Sequence, residues 1–227
     1  MDFKRYAIYY TPEGALAEFG TGWLGWNIAT GQDVPHPVLD NLPLPISEIT
    51  EAPRKYGLHA TLKPPFRLAE GQEYGGLEAA FDRFCATTAP VRLDGLDLVP
   101  LGRFLALVAR GDMTRLNALA ADVVRGFDRF RAPPDKAELA KRRTGGLTPR
   151  QDAMLLQWGY PHVMETFRFH ITLTGKLPKP DLSETRKVLG TALAGLDLAP
   201  FTIGTLALCG EDQHGRFHVT RQKTLAG

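Results

Sequence analysis

The pattern His-x-Thr-Leu occurs twice in this chain of 227 residues, inside "GLHATLKPP" (Gly57 to Pro65) and inside "FRFHITLTG" (Phe167 to Gly175), although the chain has only six histidines. Side chains alternate across a β-strand, so residues i and i+2 share a face. In the first copy His59 and Thr61 project together, while Leu58, Ala60 and Leu62 project the other way. In the second, Arg168, His170, Thr172 and Thr174 share a face opposite Phe169, Ile171 and Leu173. Each strand therefore has an apolar side for helices to cover and a polar side that must meet water or a cavity. Few architectures satisfy both strands at once.

A further match supports an internal duplication. Residues 95–100 read Gly-Leu-Asp-Leu-Val-Pro and residues 195–200 read Gly-Leu-Asp-Leu-Ala-Pro, an offset of 195 − 95 = 100, against 170 − 59 = 111 for the motifs. The loop "KPPFRLAEGQEYGG" after the first motif can absorb the difference. The order expected in both halves is motif strand, helix, Gly-Leu-Asp-Leu strand, turn, apolar strand. Apolar spacing predicts helices over "YGGLEAAFDRFCATT", over "LSETRKVLGTALAGL" and from about Met113 to Phe130. Another starts at Thr148, where Thr148-Pro149-x-Gln151 supplies an N-cap, a proline at the first helical position and a polar third residue. Strands are expected at "RYAIYY", the two motifs (about 57–63 and 167–174), "VRLDGLDLV", "FLALVAR", "APFTIGTLAL" and "RFHVTRQ". The fold class is α+β: one bilobal domain over residues 1–227, its two similar lobes each an antiparallel sheet flanked by helices, with a central cleft.

Two stretches stand outside this repeat. Residues 31–53, with five prolines and little periodicity, read as a lid or binding loop. Residues 131–150 hold Arg131, Lys136, Lys141, Arg142, Arg143 and Arg150 around Gly145-Gly146 and read as a mobile basic linker between lobes.

If a pseudo-two-fold axis relates the lobes, the polar sides of the motif strands meet in a cleft holding two imidazoles and two hydroxyls. That set suits phosphodiester chemistry. With an unperturbed pKa of about 6.5, one imidazole can accept a proton from an attacking water or hydroxyl while the other gives one to the leaving oxygen. Thr61 and Thr172 can donate to the phosphate oxygens, Lys63, Arg168 or Lys176 can add positive charge, and Tyr56 stands close enough to His59 to line the cleft. Neither motif has the spacing of a common metal site, so no metal and no cofactor is expected. Cys85 and Cys209 read as buried thiols, and His36, His162, His214 and His218 as structural residues.

Charge and termini narrow the partners. A net charge of +2 permits a phosphate ligand without demanding nucleic acid. The opening "MDFKRYAIYYTPEG" has an apolar run too short for a signal peptide or a membrane span, which with two buried thiols gives a cytoplasmic expectation, no membrane and no obligate protein partner.

The two His-x-Thr motifs, with "RYAIYYTP" (Arg5 to Pro12), "KYGLHATLKPPFRL" (Lys55 to Leu68) and "FRFHITLTG", resemble the two-histidine (2H) phosphoesterase superfamily, and within it a branch of proteins encoded beside phosphonate-utilisation genes. The resemblance implies metal-independent cleavage or ligation of a 2′,3′-cyclic or related phosphodiester. It implies His59 and His170 as the acid/base pair, and Thr61 and Thr172 as phosphate-oxygen donors. The expected substrate is a cyclic phosphodiester of a small ribose-containing metabolite. Two other readings stay open: a binding module that holds a phosphorylated metabolite or nucleotide without turnover, and an RNA-end phosphodiesterase or ligase that uses residues 131–150.

Overall fold

In the computed structural model, which describes residues 3–227, the chain runs through β1 (Arg5–Tyr10), α1 (Gly14–Leu24), a ribbon of β2 (Trp26–Asn27) and β3 (Gln32–Asp33), and single-turn helices α2 (Ile46–Ile49) and α3 (Glu51–Arg54). The first motif strand, β4 (Ala60–Phe66), leads into α4 (Tyr74–Ala86), β5 (Val91–Leu93), β6 (Gly95–Leu101), β7 (Phe104–Arg110) and α5 (Thr114–Gly126). After α6 (Lys136–Arg143) and α7 (Pro149–Trp158) comes the second motif strand, β8 (His170–Thr172), then α8 (Lys179–Leu193), β9 (Phe201–Ile203), β10 (Thr205–Glu211) and β11 (Phe217–Thr224). The α+β class and the antiparallel sheet flanked by helices are as the pattern predicts.

The duplication is present, but its phase differs from the expected one. β5 and β9 are offset by 201 − 91 = 110 residues and β6 and β10 by 205 − 95 = 110, close to the 111 of the motifs. The second Gly-Leu-Asp-Leu copy is no strand: Gly195–Leu198 forms the irregular turn after α8. This match, identical at five of six positions, is thus out of register with the structural repeat.

Instead of two sheets, seven of the strands join into one, in the order β11-β10-β1-β4-β8-β7-β6, antiparallel throughout, while β5 pairs with β9 in a separate ribbon. The hairpins are exchanged between halves. β4 lies beside β1 and, through it, the C-terminal hairpin, whereas β8 lies beside the hairpin β6-β7 of the first half. The helices follow this exchange, α4 packing on β10 and β11 and α8 on β6 and β7.

The main core fills the space between the sheet and α4, α5 and α8, with Ile8, Leu62, Phe81, Leu105, Leu107, Ile171, Leu173 and Leu208 buried in it. Leu58, Ala60 and Phe169 are buried too, so the apolar faces of both motifs go inward as their alternation requires. Ala7, Tyr9, Trp26, Ala207, Cys209 and Phe217 form a smaller cluster with alternate residues of β1 and β10. Cys85 and Cys209 are both buried and free.

The two exceptional stretches are ordered. Residues 31–53 carry β3 and α2, and run into α3 below the cleft. Residues 131–150 are no linker: α6 begins at a capping box formed by Asp135 and Glu138, and α7 at the expected box of Thr148 and Gln151. No helix of the described residues is long and apolar enough to cross a membrane.

Candidate active site

The two motif strands touch through one backbone pair, Ala60 with Ile171. In an antiparallel register, one step to either side sets His59 across from Thr172 and Thr61 across from His170, all four on one face. The two imidazoles are then diagonal neighbours, about 7–8 Å apart at their roots. Such a gap accommodates a phosphate group.

Both rings are anchored identically. His59 Nδ1 lies 2.9 Å from the carbonyl oxygen of Gly57, and His170 Nδ1 lies 2.8 Å from that of Arg168. A carbonyl only accepts, so each Nδ1 carries its hydrogen and donates it, which leaves Nε2 as the working atom. The surroundings of the rings differ. His59 is packed under the Tyr9 ring, centroids 4.1 Å apart, and beside Tyr56 at 5.7 Å. Burial, helped by the nearby His170, pulls the pKa of His59 down to about 4 against the opposing Gly57 hydrogen bond. His170 is half-buried, with the Phe104 ring 6.1 Å away.

The cleft has two adjoining chambers that share Thr61, Pro64, Phe104 and Tyr160 as walls. One, of about 430 Å³, holds His59, Tyr56 and Thr172, with Arg5, Arg142 and Lys176 as its cations. The other, of about 690 Å³, holds His170, His162 and Arg168. No Asp or Glu among the described residues lines either chamber. Among the described residues, no group of three or more His, Cys, Asp or Glu is placed to hold a metal ion.

The structure thus gathers His59, His170, Thr61, Thr172, Tyr56 and Arg168 around one cleft, and moves one expected member away. Between Thr61 and Lys63 the pairing with β1 slips, Tyr9 facing Thr61 while Ile8 faces Lys63. This bulge turns Lys63 toward α5, where it is buried and its amine donates to the Val124 carbonyl at 3.1 Å and approaches Asp128 at 3.5 Å. Lys63 is therefore a core cation whose pKa burial lowers to about 8, not a phosphate ligand. Asp128 keeps a second partner, Arg131 at 2.8 Å. Lys63→Met strands no charge and should leave kcat/KM within about threefold and change stability by about 0–2 kcal/mol in either direction. A tenfold loss of activity at unchanged stability would return Lys63 to the site.

Thr174 also lines the first chamber, but its hydroxyl accepts from the Leu105 amide and donates to the Gly175 carbonyl, so it is structural. Sequence reasoning did not single out Tyr160 or Phe104, and it set His162 aside. His162 borders the second chamber, and burial and the neighbouring His170 lower its pKa. Its place next to the motif in "GYPHVMETFRFH" was the available signal.

Fold and cleft together define an α+β protein with paired His-x-Thr strands facing a cavity that no described carboxylate lines. The chain belongs to the family described as protein of unknown function (DUF1045), whose model matches residues 61–218. A protein of Janthinobacterium sp. (strain Marseille) named ribose 1,5-bisphosphate phosphokinase PhnN is 38% identical over 226 residues, 96% of this chain and 50% of that protein. One of the same name from Laribacter hongkongensis (strain HLHK9) is 32% identical over 187 residues, covering 78% of this chain and 42% of that protein. The chain spans about half the length of these curated relatives. Among solved structures, E. coli LigT complexed with NADP+ overlays with a TM-score of 0.47 at 14% identity over 100% of both chains. TT0787 of Thermus thermophilus overlays with a TM-score of 0.47 at 17% identity over 98% of both.

Proposed function

We propose that this protein is a two-histidine phosphoesterase that opens a cyclic phosphodiester of a small ribose-containing metabolite without a metal ion. The observation that carries the reading is the matched pair of imidazoles, each held through Nδ1–H by the carbonyl two residues before it, with Nε2 left to face one cleft beside a threonine hydroxyl. His59, kept neutral by its enclosure, takes a proton from a water that attacks phosphorus. The bond from phosphorus to one ribose oxygen breaks, and His170 delivers a proton through Nε2 to that oxygen. Thr61 and Thr172 donate to the non-bridging oxygens as their charge grows. The product is an open ribose phosphate monoester.

The relatives' name concerns the phosphorylation of ribose 1,5-bisphosphate. This sequence has no G-x-x-x-x-G-K-[ST] run, the loop with which many kinases hold the phosphates of ATP. We assign the named kinase activity to the half of those proteins that lies outside the match. A part that opens a ribose cyclic phosphate beside a part that phosphorylates a ribose phosphate makes a chemically consistent pair, and it fits a role in phosphonate metabolism. The RNA reading loses ground, because Arg131, Arg143 and Arg150 are paired with Asp128, Asp152 and Glu165.

The direct test is a set of ribose cyclic phosphates, 2′,3′-cyclic nucleotides and a cyclic-ended RNA, incubated with EDTA present. Turnover of a small cyclic phosphate that EDTA leaves intact is expected; binding without product would replace the enzyme by a sensor. The pH profile tests the roles. His59 loses its function as base only when it is protonated, so the acid-side fall of kcat/KM should lie near pH 4, well below the 6.5 of an ordinary histidine. Stability shifts in the same sense. Between about 4 and 6.5 the unfolded chain binds a proton at His59 that the folded chain refuses, so stability falls as pH drops through that window. An acid limb near 6.5 would remove His59 from the role of base.

A further inference from the structure

Resting on that phosphoesterase reading, we infer that the cleft takes a substrate with a second phosphate, held apart from the reacting one by Arg142 with Lys176 beside it. The argument begins with charge. No described carboxylate lines either chamber, so the walls themselves offer their cations no counter-charge among the described residues. Of the cations in the first chamber, Arg5 is already bound by both oxygens of Glu211. Arg142 and Lys176 have no ion pair with any described residue.

Arg142 is singled out among its neighbours too. The stretch 131–150 has four arginines, and the other three are each neutralised by a carboxylate within the fold. Arg142 is half-buried, with its guanidinium over the Tyr160 ring, 4.8 Å from the centroid. Tyr160 walls both chambers, and Arg142, stacked on it, lines the first. A stacked guanidinium keeps its in-plane N–H donors free for a phosphate and loses little freedom on binding one. His59, Thr61 and Thr172 account for one phosphate at the motif strands, and a chamber of about 430 Å³ has room for a ribose between that group and a second anion at Arg142.

The experiment compares 2′,3′-cyclic AMP with its 5′-phosphorylated counterpart, using the full chain, Arg142→Ala, Lys176→Ala and, as a control, Lys141→Ala, an exposed base outside both chambers. The unaltered protein should favour the doubly phosphorylated substrate by about tenfold or more in kcat/KM, chiefly through KM, since the second phosphate binds ground state and transition state alike. Arg142→Ala should remove most of that preference, Lys176→Ala a smaller part, and Lys141→Ala none. Equal rates on both substrates, or a loss in Arg142→Ala that is the same for both, overturns the second site and leaves the phosphoesterase reading standing. If neither substrate turns over, the phosphoesterase reading is decided by the wider set of cyclic phosphates above, and the second site is judged by binding. Ribose 5-phosphate should then raise Tm more than ribose does, and lose the advantage in Arg142→Ala; no such advantage overturns the inference.

Discussion

His59→Ala and His170→Ala should each lower kcat/KM on the cyclic phosphodiester by roughly 10²–10⁴-fold, the usual worth of a positioned proton donor or acceptor. The double variant should be little worse than either single one, because groups that move protons in one step act as a unit. Neither change should unfold the chain. Both rings sit at the cleft wall, half-buried, while the strands that carry them are held by Leu58, Ala60, Leu62, Phe169, Ile171 and Leu173 on the opposite face. Circular dichroism and Tm establish the fold, and single-turnover rates read the chemistry. A double variant with the turnover of the unaltered protein would sink the catalytic assignment. Loss in only one single variant would reduce the pair to one catalyst and one structural histidine.

Much of this site is legible in the sequence because strand alternation is a strong constraint. Two polar residues at i and i+2 with apolar residues between them leave one orientation for each motif, and the structure keeps it at His59, Thr61, His170 and Thr172. The alternation fails at Lys63, where a bulge intervenes. Pro64 and Pro65 directly after it, unable to donate to a ladder, were the warning in the sequence. The repeated Gly-Leu-Asp-Leu misled for another reason. A match of five residues in six carries no long-range information, and the sheet pairs strands across the halves, an exchange that no local pattern records. Arg142 was hidden among other bases. Which of four arginines lacks a carboxylate depends on Asp128, Asp152 and Glu165: the first pairs with Arg131 locally, three residues along the chain, but the other two pairings are set only when α6, α7 and the segment after α7 pack together.

Gly57→Ala should do most to uncouple the site from its support, costing about 2–4 kcal/mol of stability and at least tenfold in activity at temperatures where the variant is folded. Gly57 has φ of +65°, in the left-handed region where a side chain is strained. A Cβ there would lie 2.5 Å from Ile28 Cβ, an atom fixed to its backbone. Relief of that clash requires rotation or displacement of residue 57, and its carbonyl is the one that receives the Nδ1–H of His59. The histidine then loses the bond that selects its tautomer and aims Nε2. Gly71→Ala is the comparison, because Gly71 has φ of +75° and nothing within 4 Å of the added carbon. It should cost only the backbone strain, about 1–2 kcal/mol, with activity intact. The difference between the two variants isolates the contact at Ile28 and the anchor at His59. Equal stability losses in both, with full activity in Gly57→Ala, would mean that the Gly57 carbonyl does not position the ring, and the aim of His59 would then have to come from its packing under Tyr9.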